Sequence, residues 1–221
     1  MNIFKSFFNL FLQTNCPLCQ RSTPLELCQY CTKQLKNNHF QNPDQLWKQP
    51  LPVFVWGNYS GNVKRAIAMM KYENQPQIGR LFGQWLGEAW LSHPPYTQKI
   101  LVVPIPLHPS KQKQRGYNQA ALIAEGFCQI TGFQYRNNAL VRIKETKAQF
   151  GLSVTERETN VATAFSVNTE LCQRPPDIPL LLIDDIYTTG ATAKSAISTF
   201  HKNGINVLGL AAVATTTKGM V

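Results

Sequence analysis

Residues 180–196 read LLLIDDIYTTGATAKSA, and this stretch decides the fold. Leu180–Ile183 is an apolar run of the kind buried on both faces of a parallel sheet. It delivers two adjacent carboxylates, Asp184 and Asp185, to a turn of hydroxyl-bearing and small residues: Thr188, Thr189, Gly190, Ala191 and Thr192. Helical spacing then predicts a helix over 191–201. In an open parallel sheet, ligands bind beyond the carboxyl ends of the strands. Successive amides in such a turn, with the helix N-terminus behind them, can wrap a phosphate. Thr189 and Thr192 add hydroxyl donors, and Gly190 permits close approach. Two carboxylates beside a phosphate would repel it, so they suit sugar hydroxyls or Mg2+. The stretch is not a Walker A loop, having no Gly-x4-Gly-Lys-Ser/Thr, and it is not a dinucleotide fingerprint. An ordinary strand-to-helix turn with a cap competes with this reading. The paired aspartates weigh against it.

Working outward, strand character begins at Val53, and helices are expected over 62–72 and 77–91. A short strand at 99–103 ends at Pro104, and a helix is expected over 117–129. Residues 162–167 have strand character, and a last apolar strand covers 206–214. Strands separated by helices predict an α/β fold with a mostly parallel sheet flanked by helices. Residues 37–50, NNHFQNPDQLWKQP, are polar and carry Pro43 and Pro50, so they read as a linker or loose turn. The expected units are therefore 1–45, a small N-terminal module, and 46–221, the main domain. Trp47, Trp56, Trp85 and Trp90 read as core or interface residues.

With 43% hydrophobic and 15% charged residues in 221, the chain is neither disordered nor a coiled coil. Its formal charge of +10 suits phosphate-rich partners, either small metabolites or nucleic acid. No apolar run reaches the length of a transmembrane helix. Ile3, Phe4, Phe7, Phe8 and Phe11 predict a short amphipathic helix that packs on its own protein rather than a signal peptide.

Four of the six cysteines form CPLCQRSTPLELCQYC, with Cys16, Cys19, Cys28 and Cys31 as two Cys-x2-Cys pairs. Four thiolates satisfy the tetrahedral preference of Zn2+ in a closed, structural site, a zinc-ribbon-like module. Iron in the same geometry, two disulfides, or free thiols are the alternatives. So short a segment lacks a core of its own, and metal binding would supply much of its folding energy. A reducing cytoplasm fits this cysteine usage. A scaffold role suits the module better than direct nucleic-acid binding, because Tyr30 is its only tyrosine.

The motif IDDIYTTGAT resembles the phosphoribosyl-pyrophosphate (PRPP) motif of type I phosphoribosyltransferases. Within that superfamily the chain resembles the ComF family, competence-associated proteins with an N-terminal four-cysteine module. The resemblance rests on CPLC and CQYC, VVPIPLHPSKQKQRGYNQAALIA (102–124), RIKETKAQFGLSVTERETN (142–160) and LLIDDIYTTGATAKSA, in that order. It implies a type I phosphoribosyltransferase-like sheet and a Mg-PRPP ligand. It implies that Asp184 and Asp185 meet the ribose hydroxyls, in part through water and metal. Tyr187 and Thr188 to Thr192 would hold the 5′-phosphate. Residues 104–108, with Ile105, Pro106 and Leu107, would meet pyrophosphate. Arg142, Thr146, Gln149 and Arg157 match a segment that in related enzymes closes as a lid; a static solvated hairpin fits the same residues.

Lys111, Lys113 and Arg115 put three cations in five residues. Arg115 can stabilise a departing diphosphate through paired donors, whereas Lys111 acts as a point charge. A solvated basic turn is the alternative. Asn118 and Gln119 suit ribose contact and helix capping equally, and His108 suits loop hydrogen bonding better than catalysis. The expected activity is phosphoribosyl transfer to an unidentified acceptor. The alternatives are a non-enzymatic accessory role in DNA uptake, with single-stranded DNA, a phosphoribosyl ligand or DNA-uptake proteins as partners, and an adaptor built on the cysteine module.

Overall fold

A computed structural model describes residues 14–144 and 164–217. The expected helix at 3–11 and the lid candidates Thr146, Gln149 and Arg157 lie outside the described residues.

The main sheet has five parallel strands in the order β3-β9-β8-β4-β5. These are β3 (Val53–Asn58), β4 (Leu101–Pro104), β5 (Gln134–Tyr135), β8 (Leu180–Tyr187) and β9 (Val207–Thr215). Helix α2 (Gly61–Tyr72), α3 (Gln77–Ser92) and α5 (Gln119–Thr131) cover one face. Helix α7 (Ala191–His201), the short α6 (Thr169–Gln173) and the antiparallel pair β6 (Leu140–Arg142) and β7 (Phe165–Val167) cover the other. The chain is thus an α/β protein with a parallel core sheet between helical layers.

The period of two along a strand divides the core. On β8, Leu181 and Ile183 pack with α2, α3 and α5, whereas Leu180 and Leu182 pack with Ala193, Ala196 and Phe200 of α7. Every one of these four leucine and isoleucine side chains is fully buried. Trp56, Trp85 and Trp90 are buried, and Trp47 packs against the same core.

Helices α3 and α5 approach closely because glycine recurs every fourth residue on α3, at Gly79, Gly83 and Gly87. A Cβ on Gly83 would stand 2.1 Å from the Ile123 carbonyl oxygen, and one on Gly126 of α5 would stand 2.2 Å from that of Arg80.

Three elements differ from the sequence reading. Residues 37–50 are not a loose linker. Phe40 and Val55 donate to the carbonyls of Trp56 and Pro43, and Val53 and Asn58 donate to those of Leu46 and Asn38. The segment therefore lines the outer edge of β3 and satisfies it. Most of its side chains are polar, while Phe40, Leu46 and Trp47 pack on the core. Residues 109–115, to which the sequence reading assigns no element and for which a solvated basic turn is the alternative, form helix α4 (Pro109–Arg115), started by Pro109 and ended by Gly116 at φ 84°. Strand β8 runs on to Tyr187, so Asp184 and Asp185 lie within it rather than after it.

The N-terminal cysteines straddle a two-stranded ribbon, β1 (Thr14–Asn15) with β2 (Ser22–Thr23), and helix α1 (Gln29–Lys36). The first pair sits in the ribbon's turn. The second opens α1, where Cys28 caps the helix, rather than a second ribbon turn. Cys16, Cys28, Cys31, Leu18, Leu27 and Leu35 share a continuous core with Phe54, Trp56 and Trp85. Among the described residues, no helix is long and apolar enough to cross a membrane.

Candidate functional site

Strand alternation sends the two carboxylates of β8 in different directions. Asp185 continues the Leu181–Ile183 side, under α2. There Lys71 Nζ lies 2.6 Å from Asp185 Oδ2, with only 18% of the Lys71 side chain and 6% of the Asp185 side chain exposed. Lys71 comes from the last turn of α2, next to the buried Met70. Burial pushes the Lys71 ammonium down, but the Asp185 charge overrides this and holds it above its ordinary value.

Asp184 accepts a hydrogen bond from the Asp185 amide at 2.8 Å. Its electrostatic neighbours are Asp185, Lys71 and Arg142, the last residue of β6. Burial and the adjacent Asp185 charge push the Asp184 carboxyl above the usual carboxylate range. The folded protein therefore binds more protons than the unfolded chain between the ordinary and the raised value. Stability falls as pH rises through that window. Asp184→Asn removes this dependence. Its melting temperature is expected to exceed wild type by a few degrees near pH 8 and to converge with it near pH 4; melts across pH measure this.

The turn after β8 is built on Gly190, at φ 75°, which caps α7. A Cβ there would stand 2.9 Å from Leu51 and 3.0 Å from Tyr187, so crowding and the left-handed backbone both favour glycine. Thr188 and Thr189 are exposed, Ala191 and Thr192 partly so. The first-turn amides of α7 have no intrahelical acceptors. Tyr187 packs inward against the α7 side of the core.

At the neighbouring strand end, the Ile105 amide donates to the Ile183 carbonyl at 2.9 Å and extends the β4–β8 ladder. Asn118 caps α5, accepting from the Ala120 amide at 3.1 Å and donating to the Ile105 carbonyl at 3.0 Å. Of its two expected roles the cap is the one seen, and it ties the 105–107 loop to α5. All peptide bonds of that loop are trans. Pro106 and Leu107 line a cavity of about 360 Å3 together with Tyr117, Leu140 and Arg142. His108 caps α4, with Nδ1 2.8 Å from Ser110 Oγ.

A second cavity, of about 310 Å3, is lined by Lys71, Tyr72, Asn74, Lys111, Gln114 and Arg115. Among the described residues that line it there is no carboxylate. Arg115 donates to Gln119 and lies 5.7 Å from the centre of the Tyr72 ring. The Tyr117 hydroxyl donates to the Met70 carbonyl, which holds the end of α2 against the start of α5. The predicted Asp184, Asp185, Lys111, Arg115 and Arg142 thus converge on one edge of the sheet. Lys71 and Tyr72 were missed, because a lysine and a tyrosine ending an amphipathic helix look like a solvated exit.

The four cysteine sulfurs lie within 4.8 Å of one another. A tetrahedral zinc with Zn–S of about 2.3 Å places its sulfurs about 3.8 Å apart, so the cluster suits a structural zinc site. The Cys31 amide, pointing at Cys28 Sγ from 3.5 Å, pulls the Cys28 thiol down to about 7. That amide therefore favours the thiolate a metal needs.

Together these features define a parallel α/β protein with an acid pair and a cationic cavity at one sheet edge and a four-cysteine centre packed into its core. No family model matches the chain. It is 29% identical over 214 residues to competence protein F of Haemophilus influenzae, covering 92% of this chain and 93% of that one. It is 29% identical to competence protein ComFC of Streptococcus pneumoniae over 85% of this chain and 74% of that one. It is 24% identical to the DNA utilization protein YhgH of Escherichia coli, covering 86% and 85%. The chain is homologous to the ComF/ComFC competence proteins. Among solved structures, adenine phosphoribosyltransferase from Leishmania tarentolae aligns with a TM-score of 0.41 at 13% identity, covering 85% of this chain and 74% of that one.

Proposed function

We propose that this protein is a phosphoribosyltransferase-type enzyme that binds Mg-PRPP at the carboxyl edge of β4 and β8 and transfers the phosphoribosyl group to an acceptor. One observation carries the reading. An acid pair and a glycine-capped turn at the end of β8 lie beside a cavity lined by Lys71, Lys111 and Arg115, and these three would serve ribose, 5′-phosphate and diphosphate. Asp184 and Asp185 would bind the ribose hydroxyls, and their hard oxygens suit Mg2+, which when bound neutralises diphosphate charge. The amides of 188–192 would hold the 5′-phosphate. Arg115 and Lys111 would stabilise charge growing on the departing diphosphate, and Ile105, Pro106 and Leu107 would seat it. Arg142 would close the acidic side, with Thr146, Gln149 and Arg157 as its companions in a lid. The cysteines would hold Zn2+ as a scaffold, with 1–45 and 46–221 as module and catalytic domain.

Calorimetry with Mg-PRPP tests this. Wild type is expected to bind, and Asp185→Asn to bind at least tenfold more weakly. No heat from wild type at millimolar ligand would defeat the proposal.

A second reading is favoured by the names of the relatives, competence and DNA utilization proteins, and by the charge of +10. Here the protein is a non-enzymatic partner of DNA-uptake proteins, and Lys111 and Arg115 meet single-stranded DNA. It requires salt-sensitive DNA binding that Lys111→Ala with Arg115→Ala abolishes while Asp185→Asn leaves it intact.

A further inference from the structure

Lys71 stands at the boundary between the acid pair and the cationic cavity. Its ammonium lies 2.6 Å from Asp185 Oδ2, yet the same side chain lines the cavity with Lys111 and Arg115. Both partners are largely withdrawn from water, so each depends on the other for neutralisation. Separating such a pair without replacing both partners leaves a buried charge uncompensated.

We propose that Lys71 is a specificity-determining residue, whose ion pair with Asp185 exchanges only for a ligand bearing both a vicinal diol and a diphosphate. The proposal rests on the PRPP reading above and deepens it. A sugar phosphate alone can take Asp185, but it strands Lys71. Pyrophosphate alone can draw Lys71 away, but it strands Asp185. A ligand with both groups replaces both ends of the pair at once: diol hydroxyls on Asp185, diphosphate oxygens on Lys71. The site then rejects each half of its ligand, because each half leaves a buried polar group unpaired.

Several features prepare Lys71 for this exchange. The Tyr117–Met70 hydrogen bond fixes the end of α2, so the exchange needs only a side-chain movement. Arg115 is held by Gln119 and lies over Tyr72, leaving Lys71 as the cavity cation that is paired to an acid of the sugar side. Asp184, the other acid of the pair, lies on the Arg142 side and also attracts Lys71.

The test is a set of titrations of Mg-PRPP, ribose 5-phosphate and magnesium-free pyrophosphate into wild type, Lys71→Met and Asp185→Asn. Wild type is expected to bind PRPP at least a hundredfold more tightly than either half. Lys71→Met should weaken PRPP at least tenfold while ribose 5-phosphate binds as well as before or better. Asp185→Asn should weaken PRPP while pyrophosphate binds as well as before or better. This second arm stands even if Lys71→Met does not fold. Ribose 5-phosphate weakened in step with PRPP by Lys71→Met would overturn the proposal, since Lys71 would then merely prop Asp185. So would pyrophosphate weakened by Asp185→Asn. Wild type that binds PRPP, with Lys71→Met unchanged, overturns the exchange and leaves the PRPP reading standing. Wild type that binds none of the three overturns both.

Discussion

Stripping metal from the four-cysteine centre is expected to lower the melting temperature of the whole chain, in a single transition, by more than about 10 °C. The first reason is chemical. Four sulfurs within 4.8 Å of one another have no favourable arrangement as thiolates without a cation between them. The second is architectural. Cys16, Cys28 and Cys31 are buried and belong to the same core as Phe54, Trp56 and Trp85, so the module cannot loosen without exposing the layer over β3. Structural zinc binds peptides with about 10–16 kcal/mol near neutral pH. A chain of this size loses about 2–4 °C per kcal/mol, so even about half of that energy reaches the stated drop. Metal analysis before and after chelation, followed by melting, is the measurement. Cys31→Ser should reproduce the loss and release metal. A chain free of metal that melts unchanged would show that the cysteines are not a metal centre.

Gly83→Ala is expected to destabilise the protein by about 3 kcal/mol or more, roughly 6–12 °C in melting temperature. A methyl group at this position is normally favourable in a helix by about 1 kcal/mol. Here it would stand 2.1 Å from the Ile123 carbonyl oxygen, a backbone atom that cannot turn aside. Helices α3 and α5 must then separate, and their buried side chains, Phe82, Leu86 and Phe127 among them, lose contact. Denaturant unfolding measures the cost. As a control, Gly132→Ala adds a side chain where nothing lies within 4 Å, and only its positive φ of 71° opposes it. Its loss should be the smaller of the two. An equal loss at both positions would mean that the close approach of α3 and α5 is not what Gly83 provides.

Most of the architecture was legible in the sequence because hydrophobic periodicity is a local property. The strands at 53, 101, 180 and 207 and the helices at 61, 77, 119 and 191 all appear close to their expected places. The acid pair and its turn were legible because the whole unit lies in one contiguous stretch. Segment 37–50 was misread because backbone groups pairing with β3 order it, and its few apolar anchors, Phe40, Leu46 and Trp47, follow no regular spacing. Helix α4 was not anticipated because none of its residues is buried, so it shows no apolar stripe. The glycines of α3 add nothing to an apolar stripe, and their meaning lies in a partner helix about forty residues away in the chain.

Sequence alone singled out the candidates for chemistry: four cysteines at metal spacing, two adjacent carboxylates, and a glycine that permits close approach in the turn after them. Each is a short-range pattern whose chemistry follows from residue type and neighbours. Only the tertiary structure decided who faces whom. The alternation of β8 puts Asp185 under α2 and directs Asp184 toward Arg142, and the α2–α5 junction sets Lys71 between acid and cationic cavity. More than a hundred residues separate Lys71 from Asp185, and burial makes their charges interact strongly. Neither that distance nor that burial is written in any local stretch of the chain.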